Sequence, residues 1–202
     1  MKHLKITFFA LLISLTNTIK AQKNEYIEFN DKKNTVHGVY IGVGGYYGTI
    51  DQKDTYSTAV KVAYVANKQF EIGFAAVGFY TDENELGLSE FDNDIVGVYG
   101  GIHLEPILFS KSRVNLSFPL LTGAGAVTAI QETYSNHDTE DWDPVFVLEP
   151  GISIQYNINR FIQIETSVKH RFSSKLNFVG SDISQINGFS AGIGVKVGVF
   201  NI

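Results

Sequence analysis

The sequence predicts an all-β fold: a closed, up-and-down antiparallel barrel of about eight strands, preceded by a cleaved signal peptide. Three observations predict it. Apolar and polar residues alternate with a period of two in about eight segments. No segment after Val36 repeats its apolar residues every three to four positions, as an amphipathic helix does. The connections between segments alternate between short and long.

The chain has 202 residues, a formal charge of -5, 19 glycines and no cysteine. The absence of cysteine excludes disulfides, thiolate metal sites and cysteine nucleophiles. The acidic balance argues against nucleic acid as a partner.

Residues 1–21 read as the signal peptide. Lys2 and Lys5 give a basic start, Ile6 to Thr16 an apolar stretch, and Ala21 a small residue for cleavage before Gln22. That apolar stretch is shorter than the roughly 20 residues a membrane-spanning helix needs. No cysteine follows for lipid attachment. Residues 22–35 form a polar arm, and 36–202 the barrel.

The alternating segments run over 36–50, 56–66, 69–80, 93–104, 113–127, 145–157, 161–173 and 188–200. The connections after the second, fourth and sixth are short: Asn67-Lys68, Glu105 to Ser112, and NINR from Asn157 to Arg160. Those after the third, fifth and seventh are long: TDENELGLSEFD, TAIQETYSNHDTEDWDP and SSKLNFVGSDISQIN. The first, DQKDT, is intermediate. Up-and-down pairing therefore gathers the long loops at one end. Pro119 and Pro150 are expected to mark bulges or strand ends.

Each segment has one largely apolar face. From Gly188 to Phe200, Phe189, Ala191, Ile193, Val195, Val197 and Val199 alternate with Ser190, Gly192, Gly194, Lys196 and Gly198. Val60, Val62 and Tyr64 alternate with Lys61 and Ala63, and Ile162, Ile164 and Val168 with Gln163, Glu165 and Lys169. A water-soluble barrel would turn the apolar face inward and leave a glycine-rich, charge-poor face to solvent. A transmembrane barrel turns it to lipid and packs small residues and isolated charges into a narrow lumen.

The aromatics favour the second. Tyr47, Tyr56, Tyr80 and Phe172 fall on the apolar face near the loop end, and Tyr64, Phe70 and Tyr156 near the turn end, as two interfacial girdles. Closure follows, because hydrocarbon offers no partner to an open strand edge. Parity then places Lys61, Glu71, Glu149, Glu165, Lys169, Arg171 and Lys196 in the lumen, where opposite charges should pair and plug it, Lys196 lying near Glu165. The expected setting is the cell outer membrane. Its lipid and lipopolysaccharide would surround the barrel, and an even strand count would leave both termini periplasmic.

The stretch EPGISIQYNINRFIQIETSVKHRF, Glu149 to Phe172, resembles a hairpin recurrent in small outer-membrane β-barrel proteins of Bacteroidetes. Glu149-Pro150-Gly151, the turn Asn157 to Arg160, and His170-Arg171-Phe172 carry the resemblance; His170 departs from the tyrosine expected there. The signal ending Ala21-Gln22 is similar too. The resemblance implies an OmpA/OmpX-like barrel and an outer-membrane location, and no particular activity.

No catalytic, cofactor-binding or metal residues are assigned. His170, Ser173 and Glu165 invite comparison with the Ser-His-acid arrangement of small outer-membrane lipid deacylases. However, parity turns His170 to lipid and Glu165 to the lumen, and the expected His-x-Ser spacing is missing. Asp82, Glu83, Glu85, Glu90, Asp92 and Asp94, and separately Asp138, Glu140, Asp141 and Asp143, make two connections acidic. Carboxylates suit divalent cations, but a solvated acidic surface is the simpler reading. GVGGYYG and GAGAV do not fit a nucleotide-binding loop, since no helix follows. His103 reads as a hydrogen-bonded interior residue. The function expected is a structural or cell-surface role of a monomer acting through its acidic loops. The alternatives are a minor pore for ions or very small solutes, and a lipid-modifying enzyme of the outer membrane.

Overall fold

The computed structural model describes residues 36–50, 53–81, 93–131, 142–176 and 184–200. The expected signal peptide, the polar arm and most of the acidic connections lie outside the described residues.

The strands are β1 (His37–Ile50), β2 (Lys53–Ala66), β3 (Phe70–Thr81), β4 (Asn93–Leu108), β5 (Val114–Ser117), β6 (Leu120–Gln131), β7 (Asp143–Asn157), β8 (Ile162–Ser173) and β9 (Gly188–Val199). Every pairing is antiparallel. β1 bonds to both β2 and β9, so the sheet closes on itself.

β5 and β6 together take one place between β4 and β7, which makes an eight-stranded ring from nine segments. The interruption lies at Phe118-Pro119, because proline has no N–H to give to the ladder. Pro119 is a strand end here and not a bulge. Leu104 opposite Leu120 and Ile107 opposite Ser117 keep one register across the gap. Phe118 N–H donates to the Pro106 carbonyl at 3.1 Å, and the Pro119 carbonyl accepts from Gly151 N–H at 2.8 Å. Pro150 sits inside β7, opposite Leu120.

Several boundaries differ from the sequence reading, among them β6, which runs to Gln131 beyond the expected end at 127, and β7, which begins at Asp143. β4 continues to Leu108, so Glu105 belongs to the sheet and pairs with Glu71, whereas a connection was expected to begin there. β2 begins at Lys53, so only residues 51 and 52 separate it from β1.

The turns explain the strand ends. At Asn67 and Lys68 the backbone has φ of 53° and 57°. Two successive positive φ values give the type I′ turn whose twist matches that of paired strands. Gln69 N–H closes the turn on the Ala66 carbonyl at 2.9 Å. Asn67 also accepts Val36 N–H on Oδ1 at 3.1 Å, which fastens the start of β1. In the NINR turn, Asn159 Oδ1 accepts from Phe161 N–H at 2.7 Å and Ile162 N–H at 2.9 Å. β1 begins and β9 ends at this same turn end, where Phe200 N–H meets the Arg160 carbonyl.

Burial is inverted relative to a water-soluble barrel. Phe74 is 72% exposed, Phe146 71% and Ile193 66%, all pointing outward, while Lys196 and Glu105 are fully enclosed. The residues placed on the lipid face by parity are outward, including Tyr47, Tyr56, Tyr80, Phe172 and Tyr156; Tyr64 and Phe70 are half-buried. An apolar outer wall around a polar interior is the distribution expected when the surrounding solvent is hydrocarbon.

Candidate functional site: a charged network that closes the lumen

Lys61 on β2, Glu71 on β3, Glu105 on β4, Glu165 on β8 and Lys196 on β9 all point into the barrel. Each comes from a different strand, and closure alone brings them together. Lys196 Nζ lies 2.9 Å from Glu71, 3.4 Å from Glu105 and 3.2 Å from Glu165. Lys61 Nζ donates to Glu165 at 2.7 Å and stands 3.7 Å from Glu105.

Neutral groups complete the shell. Ser117 Oγ and Gln155 Nε2 both donate to Glu105 Oε1 at 2.6 Å, His103 Nε2 is 2.9 Å from Glu105 Oε2, and the Tyr40 hydroxyl donates to Glu71. Buried ions cost several kcal/mol each unless their partners and hydrogen bonds are nearly complete. This network supplies both.

A second cluster lies toward the loop end. Arg171 Nε is 3.3 Å and Lys169 Nζ 3.6 Å from Glu149, and the Tyr99 hydroxyl donates to the same carboxylate. Lys169 Nζ also sits 4.0 Å above the centre of the Tyr46 ring, a cation–π contact. Across both clusters, Glu71, Glu105, Glu149 and Glu165 face Lys61, Lys169, Arg171 and Lys196, which balances the charge before His103 is considered. A cavity of about 20 Å³ lies between the clusters, bordered by Lys61, His103, Glu149 and Lys169. It is large enough for a single water.

Long side chains can lie across so narrow a lumen only because glycines stand beside them. Gly42 is directly opposite both Lys61 and Lys196, and a Cβ there would lie 2.9 Å from Lys61 Cγ. Gly194 is opposite Glu165, and a Cβ there would come within 3.0 Å of its carboxylate.

An apolar layer closes the loop end. Toward the turns, Tyr40, Ala63 and Val65 pack together on β1 and β2, with the Tyr40 ring stacked on Phe200, while Asn115, Gln155 and Gln163 of β5, β7 and β8 are buried polar residues. Toward the loops, Ile50, Ile95, Val127 and Val145 point inward and pack with Leu176 and Ile186 from the connection after β8. This stopper adds an inward apolar layer to a barrel whose outward valines and isoleucines, such as Ile193, Val195 and Val197, are exposed as expected. At the loop end the inward side is apolar as well, and Leu176 and Ile186 pack against it.

Ser173 anchors the stopper. Its Oγ accepts from Ile186 N–H at 2.9 Å, and its own N–H donates to Asn187 Oδ1 at 2.7 Å. His170 turns outward between Phe172 and Phe189, with ring centroids 4.3 and 4.2 Å away. Glu165 faces inward. Ser173, His170 and Glu165 therefore form no relay.

All seven charges that parity assigned to the lumen are there, with Lys196 beside Glu165. His103 is interior and hydrogen-bonded, as expected. Glu105, the acceptor at the centre of the network, is the residue that the sequence reading missed. The signal was present, because His103, Glu105 and Ile107 continue one face. Glu71, His103 and Glu105 bring ligand-type atoms within 4.8 Å of one another. The Lys196 ammonium already stands against both carboxylates, so the chain furnishes its own cation there.

No protein-family model matches the chain, and no curated protein matches its sequence. Solved structures do. Neisserial surface protein A (NspA) superposes with a TM-score of 0.56 at 9% identity, covering 82% of this chain and 99% of that one. Ail, the attachment invasion locus protein of Yersinia pestis, solved with a heparin analogue, gives 0.47 at 16% identity over 81% of this chain and 99% of its own. OprG from Pseudomonas aeruginosa gives 0.45 at 11% identity over 81% and 95%. At such identities the likeness to NspA extends to the fold alone: this chain shares its closed antiparallel β-barrel fold.

Proposed function

We propose that the protein is a monomeric, non-enzymatic barrel of the cell outer membrane, with a structural or cell-surface role carried by its acidic loops and a lumen that does not conduct. The observation that carries this reading is the inverted burial, with a paired charge network filling the lumen beneath an apolar layer at the loop end. A pore needs a continuous aqueous path; here the space between the charge clusters holds about one water. Residues 1–21 act as the export signal and 22–35 as a periplasmic arm, with both termini in the periplasm. The likeness in fold to a protein called a surface protein supports the placement. The hairpin from Glu149 to Phe172 supports kinship with the Bacteroidetes barrels. Outer-membrane lipid and lipopolysaccharide surround the wall, and the acidic loops offer carboxylates to divalent cations.

The test combines location and conductance. The protein should fractionate with the outer membrane, change gel mobility on heating, and leave planar bilayers without steady current. Protease added to intact cells should cut within residues 81–92 or 128–143 and spare Asn67-Lys68 and the turn at Ile158-Asn159. Recovery as a soluble periplasmic protein would overturn the membrane placement. A large steady conductance would replace the sealed lumen with the pore reading, and cleavage confined to the short turns would invert the topology.

A further inference from the structure

We propose that the turn end of the barrel binds anionic phospholipid of the periplasmic leaflet, its phosphate taken by Arg113 and Arg160 on two adjoining turns. The proposal rests on the membrane reading above and on its placement of the short turns in the periplasm.

The turns carry charge of one sign. Residues 67–69, 109–113 and 158–161 contain Lys68, Lys111, Arg113 and Arg160 and no aspartate or glutamate. The whole chain has a formal charge of -5, so this end is opposite in sign to the molecule. An anionic partner therefore fits here and not at the acidic loops.

Two of the turns are fixed to each other. The Arg113 carbonyl accepts from Asn157 N–H at 2.8 Å, and the Ser112 carbonyl from Asn157 Nδ2 at 3.3 Å. Ser112 N–H closes its own turn on the Phe109 carbonyl at 2.8 Å. Phe109 is held there at φ 58°, a conformation that bulky residues rarely adopt, and its side chain is 68% exposed. Ile158 and Phe161 of the adjoining turn are exposed as well. The Arg160 guanidinium lies 4.6 Å from the centre of the Phe161 ring, so cation and aromatic surface are presented together.

Their depth suits a headgroup layer. Phe146, Leu148, Ile152, Ile154 and Tyr156 of β7 are all exposed on its outward side. At about 3.3 Å per residue and a tilt of about 40°, the path from Phe146 to Tyr156 rises about 25 Å, the height of the apolar band of an outer-membrane barrel. Tyr156 is paired with Val114, so Arg113 and Arg160 both stand just beyond that band. Guanidinium groups there meet phosphate oxygens, for which their forked donors are suited, while acyl chains run along the wall below. A soluble polyanion would use the arginines and leave Phe109, Ile158 and Phe161 in water.

The experiment is native mass spectrometry of the full mature protein released from micelles containing phosphatidylglycerol and phosphatidylcholine of identical chains. A cation beside an anionic membrane surface is worth about fivefold, so the two arginines should favour phosphatidylglycerol by about twenty-five-fold. Arg113→Gln with Arg160→Gln should remove most of that preference, whereas Arg113→Lys with Arg160→Lys should keep most of it. Lys175→Gln, which takes one exposed charge from the loop end, should leave it unchanged. Glycerophosphoglycerol, the same headgroup without acyl chains, should not be retained. Heat-modifiable gel mobility confirms that each variant folds.

Equal retention of the two lipids by the unaltered protein would overturn the proposal, as would a preference that survives the double-glutamine change. Retention of the soluble headgroup would assign the turns to a free phosphodiester instead. Arginine-dependent co-sedimentation with purified peptidoglycan, without a lipid preference, would assign them to the cell wall. Solubility without detergent would refute the membrane reading itself, a failure distinct from all of these.

Discussion

Lys196 Nζ stands 2.9 Å from Glu71 although 125 positions separate them in the chain. Neither residue is on a neighbouring strand of the other: β9 and β3 are separated by β1 and β2. The contact crosses the lumen, so it exists only in the closed barrel and reports on closure directly.

Removing this lysine should be costly. Lys196→Met leaves Glu71, Glu105 and Glu165 with fewer cations in a dry interior, and breaking a buried pair this way typically costs about 3–5 kcal/mol. Urea unfolding in lipid should show the loss as a lowered midpoint. Pairing the change with Glu71→Gln should recover part of it, because the two residues share one network. Additive losses would mean that the pair does not interact.

Phe74 tests what the outer wall faces. It lies within β3, points outward and is 72% exposed. Phe74→Arg should cost about 2–4 kcal/mol if the position meets the middle of a bilayer. A change within about 0.5 kcal/mol, normal for a water-facing surface site, would contradict the membrane assignment.

Gly42 tests the packing of the charges. A Cβ there would press on Lys61 Cγ at 2.9 Å, so Gly42→Val should destabilise by about 1–3 kcal/mol, the usual range for overpacking. The same exchange at Gly45, which faces open space, should be accommodated without such strain. Equal effects at the two sites, read from unfolding midpoints, would show that crowding around Lys61 is not the cause.

The β2–β3 turn tests local geometry. Asn67→Ala places an ordinary side chain at φ 53° and removes the acceptor for Val36 N–H, for a loss of about 1–2 kcal/mol. Asn67→Gly keeps the turn and loses only the side-chain bond, so it should cost less. Comparing thermal midpoints of the two variants separates conformation from hydrogen bonding; a glycine variant as damaged as the alanine one would refute the backbone argument.

Much of this was legible because a strand obeys a rule of two. Once Lys61, Glu165, Lys169 and Lys196 were seen to alternate with valines and isoleucines, their shared face followed without knowledge of their partners. The ring count was legible for the same reason, and the turn positions through Asn67 and the NINR run. Glu105 was missed because the fourth segment was ended at Leu104 and Glu105 to Ser112 read as a connection; β4 continues through Glu105, paired with Glu71, to Leu108.

What the sequence determined by itself was therefore the periodicity, the faces and the enclosed charges other than Glu105, since these depend on local backbone geometry. Beyond Lys196 near Glu165, which the neighbouring last strands suggest, which charges meet was decided only by the tertiary structure. Register and closure fix where five strands aim their side chains across the lumen, and no spacing along the chain encodes that. The apolar stopper belongs to the same class. Leu176 and Ile186 lie outside any alternating strand, and they are buried in one cluster with Ile50, Val127 and Val145, where apolar surface at the mouth is removed from water.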